Sequence, residues 1–123
     1  MKIFFDGGCR PNPGPIETAV VAGGRCWLRT DHGAGDNSDG EWCALIEALR
    51  VARELGVAEP VLLGDSAMVV GQASGQRRVA ARFAGHFAAF QALAAGFARV
   101  RIRHVGRKQN LAGIALERLH GRI

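Results

Sequence analysis

Three carboxylates in the chain are candidates for a shared metal site. Asp6 directly follows the apolar stretch KIFF, and Asp65 directly follows VLLG. If these stretches are neighbouring strands, the carboxylates emerge about 5 Å apart, and like charges that close repel unless a cation lies between them. Glu41 on a helix over that sheet would complete an all-oxygen site for a hard divalent ion such as magnesium. Spacing alone equally allows Asp6 to open a turn and Asp65 to cap the next helix.

The first forty residues predict strands and turns around the first aspartate. A short strand is expected at residues 2–6. The glycines and prolines of residues 7–15 predict a turn, since glycine permits positive φ and proline ends ladder pairing. Residues 18–24 are mostly apolar and residues 25–30 alternate apolar with polar side chains, which predicts an antiparallel meander with the first strand. The polar, glycine-rich residues 31–40 predict a loop.

A helix carrying Glu41 is predicted next. Ser38 and Glu41 have the spacing of a capping box with Ser38 as the N-cap, and apolar side chains then recur at helical spacing up to Gly56. This pattern places Glu41 in the first turn, at the edge of the buried face. Residues 60–64 predict a strand buried on both faces, and residues 66–72 predict a short helix.

The second half of the chain predicts another long helix, a strand and a last helix. Phenylalanine and leucine recur on one helix face between positions 83 and 97, and we expect them to be core. Residues 99–105 alternate arginine with valine and isoleucine, which is typical of a half-exposed strand. Residues 110–119 have helical spacing. The order of elements predicts an α/β fold with a mixed sheet and helices on its faces, in a single domain over residues 1–123.

Composition limits the compartment and the partners. The chain is 48% hydrophobic and 22% charged, as globular domains are. No apolar stretch approaches the roughly 20 residues that span a bilayer, the N-terminus lacks a signal-peptide pattern, and the three cysteines lack zinc-type spacing. We therefore expect a cytoplasmic protein with free thiols and no membrane association. We also expect a monomer without an obligate protein partner. The net charge of +5 suits a nucleic acid.

Four segments, in order, resemble the type 1 ribonuclease H family. DGGCRPNPGP from Asp6 resembles the family's first-strand motif, and EWCALIEAL from Glu41 resembles its first helix. DSAMVVGQ from Asp65 resembles the segment with the third acid, and HVGRKQN from His104 resembles the last strand and its loop. The similarity is greatest to the compact branch without the basic protrusion. It implies a ribonuclease H-like fold with a five-stranded mixed sheet, three antiparallel strands followed by two parallel ones, flanked by helices.

By this resemblance, Asp6, Glu41 and Asp65 match three of the family's four catalytic acids and would hold two magnesium or manganese ions. The implied reaction is endonucleolytic hydrolysis of the RNA strand of RNA/DNA hybrids, giving 5′-phosphate and 3′-hydroxyl ends. Small residues after Asp6 would let the backbone approach the sugar and test for a 2′-hydroxyl. The substrate contacts implied by the resemblance are Gly7, Gly8, Cys9, Asn12, Asn37 and Ser38.

The family's fourth acid is missing. It is an aspartate four residues after the asparagine of the last loop, here Asn110, and Ile114 stands in its place. Activity is therefore expected to be weakened; alternatively, the chain is an impaired module that binds hybrid or double-stranded nucleic acid. Glu117, about one helical turn further on, could reach back, or it is a solvated surface residue. His104 could assist proton transfer or product release, or make an ordinary hydrogen bond.

Three lesser features also bear on the site. Glu47 lies on a different helix face from Glu41 and is expected at the surface. Asp36 falls where the family has a threonine in a DNA phosphate pocket, and a carboxylate there would repel phosphate. Arg99, Arg101 and Arg103 on one strand face, with Arg107 and Lys108, could contact the nucleic-acid backbone, or the strand face is simply solvated.

Overall fold

The computed structural model describes residues 1–121 as a mixed sheet packed against helices. The strands are β1 (Lys2–Cys9), β2 (Gly14–Ala22), β3 (Arg25–Arg29), β4 (Ala34–Gly35), β5 (Val61–Gly64) and β6 (Arg101–His104). The helices are α1 (Asn37–Glu54), α2 (Ala67–Ala73), α3 (Ala84–Ala94) and α4 (Leu111–Leu119), and 3₁₀ turns lie at Ala81–Phe83 and Arg107–Gln109. The predicted α/β class is confirmed.

The sheet has the predicted mixture of strand directions. Its order is β3-β2-β1-β5-β6, with antiparallel pairing among the first three strands and parallel pairing of β1 with β5 and of β5 with β6. The two-residue β4 pairs with β2 inside the segment predicted to be a loop, so the sheet has six strands instead of five. This pairing holds the segment before α1 against the start of β2.

Strand β1 is three residues longer than predicted. It remains paired with β2 as far as Cys9, because the intervening glycines keep their N–H groups and the first residue that cannot donate is Pro11. Asp6 therefore lies within the strand and not at its end. Phe5 is buried in the cluster that contains α1, whereas Phe4 packs against the cluster that contains α4. By the alternation of a strand, Asp6 shares the α4 side with Phe4.

Helix α1 starts earlier than predicted, because its N-cap is Asp36 and not Ser38. The Asp36 carboxylate accepts the Asp39 N–H at 3.0 Å, and the Asp39 carboxylate accepts the Asp36 N–H at 3.0 Å, which is a reciprocal capping box. Glu41 consequently lies in the second turn. Arg82 Nη2 lies 2.7 Å from Asp36 Oδ2, so this carboxylate is already paired with a cation.

Two clusters of apolar side chains hold the helices against the sheet. The larger contains Trp42 of α1 together with Phe83 and Phe90, and the smaller joins Leu116 of α4 to residues of β1 and β2. The predicted phenylalanine core is confirmed, although α3 ends at Ala94, before Phe97. None of the helices within residues 1–121 has both the length and the apolar character needed to cross a membrane.

The prediction that Glu47 is a surface residue is wrong. Glu47 is 6% exposed, and its carboxylate lies 3.1 Å from Arg29 Nη1 and 3.2 Å from Arg50 Nη1. Helical spacing correctly separates Glu47 from Glu41, but it does not show that β3 supplies an arginine that pairs with the carboxylate.

Candidate metal and nucleic-acid site

The parallel pairing of β1 with β5 brings two aspartates together. The register sets Lys2 opposite Val61 and Phe4 opposite Leu63. Continued by two residues along each strand, the same register places Asp6 opposite Asp65. Neighbouring strands are about 4.8 Å apart. The predicted adjacency of the two acid-bearing strands is therefore confirmed.

Close contact between glycines brings α1 near enough to β1 to add Glu41. A Cβ at Gly7 would overlap the carbonyl oxygen of Gly40, and a Cβ at Gly40 would lie 2.6 Å from the nitrogen of Gly8. Side chains at these positions would push the helix off the strand, because packed interiors leave no room for an added methyl group. Glu41 directly follows Gly40, so the close approach sets its carboxylate beside Asp6. Gly7 thus has a packing reason to be glycine that is independent of substrate.

The three carboxylates form a compact cluster. One oxygen from each of Asp6, Glu41 and Asp65 lies within 4.8 Å of the others. Burial is the main reason that the pKa of Asp6 rises from 3.8 to about 6, and repulsion from Asp65 adds to this effect. A hydrogen bond with Glu41 and the charge of Arg107 act in the opposite direction. Burial also raises the pKa of Glu41 well above its usual value, and repulsion from Asp6 reinforces it.

The cluster fits a divalent cation. The Oε2 atom of Glu41 is buried, and no donor among residues 1–121 reaches it when the carboxyls are ionised. A buried carboxylate oxygen without a donor is costly. Carboxylate oxygens are the ligands that magnesium and manganese prefer. A bound cation would satisfy the unpaired oxygen and relieve the repulsion at the same time.

Asn110 is a site residue whose role the sequence did not predict. It is fully buried, and its Nδ2 donates to Asp65 Oδ2 at 3.2 Å and to the Phe5 carbonyl at 3.0 Å. Its Oδ1 accepts the Ala112 N–H at 3.1 Å as the N-cap of α4. One side chain therefore orients Asp65 and ties α4 to β1. An asparagine before a helix signals a cap, but not its partners across the sheet.

Three of the predicted substrate-contact residues are joined by hydrogen bonds. The Cys9 N–H donates to Asn37 Oδ1 at 3.0 Å, and the Asn37 N–H donates to Asn12 Oδ1 at 3.1 Å. The Cys9 thiol donates to the Gly35 carbonyl at 3.2 Å. Ser38 lies half-buried beside Asn37 in the first turn of α1. The structure thus brings these residues to the same end of β1 as the acids.

An open cavity of about 950 Å³ lies over the three acids. Of the predicted substrate contacts, Gly7, Gly8, Cys9 and Asn37 line it. Arg107, one of the predicted contacts to the nucleic-acid backbone, lines it as well, and so does Arg10, for which no role was predicted. Acids and cations in one cavity are suited to a metal-dependent reaction on a phosphate backbone.

Helix α4 presents Ile114 and Glu117 to this cavity. Glu117 is 41% exposed at its side chain, and its Oε1 lies 3.3 Å from Arg10 Nη2, so it is held at the cavity and is not a fully solvated residue. His104 is exposed, and its Nε2 lies 3.2 Å from the Asp65 carbonyl oxygen. This contact is the ordinary hydrogen bond that the sequence left as the alternative for His104.

Residues 17–118 match the family described as Reverse transcriptase-like. The chain is 34% identical over 124 residues to the bifunctional protein Rv2228c of Mycobacterium tuberculosis, covering 89% of this chain and 33% of that protein. An uncharacterised protein of Mycobacterium bovis matches with the same identity and coverage. The chain spans about one third of the length of the curated relatives that it matches.

Solved structures of ribonucleases H match almost the whole chain. RNase H1 from the halophilic archaeon Halobacterium salinarum gives a TM-score of 0.83 at 31% identity, covering 98% of this chain and 97% of that one. The N-terminal RNase H domain of Rv2228c, solved as a fusion with maltose binding protein, gives 0.79 at 32% identity, with coverages of 94% and 93%. LC11-RNase H1 in complex with an RNA/DNA hybrid shares the fold, with a TM-score of 0.76 at 24% identity over 89% of this chain and 88% of that one. The chain therefore belongs to the reverse transcriptase-like, ribonuclease H family.

Proposed function

We propose that this chain is a metal-dependent endonuclease that hydrolyses the RNA strand of RNA/DNA hybrids and leaves 5′-phosphate and 3′-hydroxyl ends. The observation that carries the proposal is the convergence of Asp6, Glu41 and Asp65 within 4.8 Å, with a buried oxygen that lacks a donor among residues 1–121. Membership of the ribonuclease H family supports it. The structural neighbour LC11-RNase H1 was solved with an RNA/DNA hybrid, which is the proposed substrate.

Magnesium or manganese is the proposed cofactor, with two ions at turnover held by the three acids. When bound, the ions would lower the pKa of a bound water and stabilise the leaving 3′ oxygen. The protein's own part is to keep the carboxylates in place. Asn110 fixes Asp65 through its Nδ2 group, and the glycine contact at Gly40 fixes Glu41 against Asp6.

The proposed substrate path crosses the cavity between the acids and the start of α1. Arg10 and Arg107 line it and would attract the phosphate backbone. The Cys9 N–H is already used by Asn37, so the donors available to RNA at this point are side-chain amides. The Nδ2 groups of Asn12 and Asn37 have no acceptor among residues 1–121. Gly8 lines the same cavity and is the proposed neighbour of the sugar whose 2′-hydroxyl distinguishes RNA from DNA.

A binding module without hydrolysis is the second candidate function, and Ile114 is the observation that favours it. An isoleucine lines the cavity at the position where the family has an acid, and an apolar side chain supplies no oxygen to a metal ion. In this alternative the basic cavity would still hold a hybrid.

The test is an assay on three duplexes of one sequence, an RNA/DNA hybrid, double-stranded RNA and double-stranded DNA, each in magnesium and in manganese. We expect cutting of the RNA strand of the hybrid alone, with products whose 5′ ends carry phosphate and whose 3′ ends a ligase accepts. Binding of the hybrid at moderate salt without cutting in either metal would replace the endonuclease with the binding module. Equal cutting of all three duplexes would contradict the proposed specificity.

A further inference from the structure

Helix α4 passes close to the two aspartates at Gly113. A Cβ at Gly113 would lie 3.5 Å from Asp6 Oδ2 and 3.6 Å from Asp65 Oδ2. These are ordinary contact distances, so the face of α4 at position 113 looks directly onto the carboxylates. Because residue 113 is glycine, the space above the acids on this side is not filled by protein.

Glu117 lies on the same face of α4 as Gly113. Residues four apart are neighbours on one face, about 6 Å apart along the axis. Helical side chains lean toward the helix N-terminus, so the Glu117 side chain leans toward the turn of Gly113. Both residues line the same cavity. Ile114, turned about 100° from Gly113, provides an apolar wall at the side.

Arg10 holds the Glu117 carboxylate at this position. Its Nη2 lies 3.3 Å from Glu117 Oε1, and its Nε lies 3.2 Å from Glu17 Oε1. The guanidinium is thus fixed between two carboxylates that both line the cavity. The pairing holds the Glu117 carboxylate at the rim of the cavity that contains the acids, with its side chain 41% exposed.

We propose that Glu117 supplies the fourth carboxylate of the metal site, which Ile114 cannot supply. The inference rests on the proposed function, because it assumes that the three acids bind divalent ions. It explains how a chain with isoleucine at position 114 retains a four-carboxylate site. Glu117 enters across the space that Gly113 leaves open.

The test is a titration of metal-free protein with Mn²⁺, in which free Mn²⁺ is followed by electron paramagnetic resonance. We expect Glu117→Gln to raise the half-saturating Mn²⁺ concentration roughly tenfold or more. Glu17→Gln is the matched control, since it removes the same charge, from the same cavity and from the same arginine. It should raise that concentration only about two- to threefold, the size of a screened charge effect. Unfolding in the presence of a chelator verifies that each variant is folded.

A second variant separates metal ligation from altered packing. Ile114→Asp in the Glu117→Gln background should return the half-saturating concentration to within about threefold of the original value, since the new acid lies on the same helix beside the same cavity. Equal effects of Glu117→Gln and Glu17→Gln, or no effect of either, would overturn the inference. If the unmodified chain cleaves hybrids in that case, the proposed function stands without a role for Glu117. An unmodified chain that binds no Mn²⁺ would overturn both proposals.

Discussion

Replacing Asp6 with asparagine should make the metal-free protein more stable at neutral pH, although it removes a proposed metal ligand. Asp6 lies within β1 among two other acids, and burial is the main cause of its raised pKa. A raised pKa means that the folded state disfavours the ionised carboxylate. The asparagine side chain has nearly the same shape and carries no charge. The substitution therefore removes an electrostatic cost while keeping the packing.

The size of this gain follows from the pKa. For Asp6 it rises from 3.8 to about 6 on folding, and each pKa unit corresponds to about 1.4 kcal/mol. The resulting cost to the folded state is about 3 kcal/mol once both states are ionised. Well below pH 3.8 the carboxyl is protonated in both states, and the cost vanishes. Between about pH 4 and 6 the unfolded chain ionises first, so stability falls as pH rises.

Urea unfolding of the original chain and of Asp6→Asn, across about pH 4 to 7.5 in a chelator, measures this difference. The variant should become more stable relative to the original by about 2.5 kcal/mol over that range, with most of the change below about pH 6. Saturating magnesium or manganese should then stabilise the original chain more than the variant, because an ion that binds only the folded state adds to its stability. Glu59→Gln, at an exposed position, is the control for a general charge effect.

A stability difference that does not change with pH would refute the reasoning about Asp6. A variant that is less stable than the original at both pH 4 and pH 7.5, by the same amount, is one such result. It would mean that hydrogen bonds within the cluster, and not burial, dominate the energy of this carboxylate.

Two further substitutions test how the site is positioned. Gly40→Ala should destabilise the protein by about 1–3 kcal/mol, because its Cβ would meet the Gly8 backbone at 2.6 Å, although alanine favours helices. The control is Gly85→Ala on α3, where an added Cβ enters open space; it should be neutral or stabilising by up to about 1 kcal/mol. Urea unfolding measures both changes. Asn110→Ala should cost about 2–4 kcal/mol in the same assay, since it removes the α4 cap and leaves buried partners unsatisfied. No loss of stability in Gly40→Ala or Asn110→Ala would contradict the contacts described for that residue.

The spacing of Asp6 and Asp65 left open whether the two acids meet, and the resemblance to the ribonuclease H motifs favoured a shared site. The parallel register between β1 and β5 confirms that the two strands are neighbours. The position of Glu41 could be predicted only in part. Helical spacing placed it near the buried face, but its distance from Asp6 is set by a glycine contact between α1 and β1, which no local pattern contains.

Element ends and pairing partners were predicted less well. The capping-box pattern at Ser38 was displaced because Asp36 and Asp39 form a competing box two residues earlier. Glycines were taken to end β1, yet they continue to pair with β2. The roles of Asn110 and Arg10 depend on partners more than 40 residues away, as the contacts to Asp65 and Glu117 show. A single domain over residues 1–123, a monomeric state and a cytoplasmic location stay predictions.

The most direct measurement of the central claim is the single-turnover rate of hybrid cleavage by the original chain, by Asp65→Asn and by Asp31→Asn. Asp31 carries the same type of side chain, but it is 67% exposed and follows β3, which β2 separates from the strands of the cluster. We predict metal-dependent cutting by the original chain, a loss of roughly 100-fold or more in Asp65→Asn, and a change of no more than about twofold in Asp31→Asn. Cutting by Asp65→Asn at the rate of the original chain would contradict the account. So would a folded original chain that binds the hybrid and leaves its RNA strand intact in both metals.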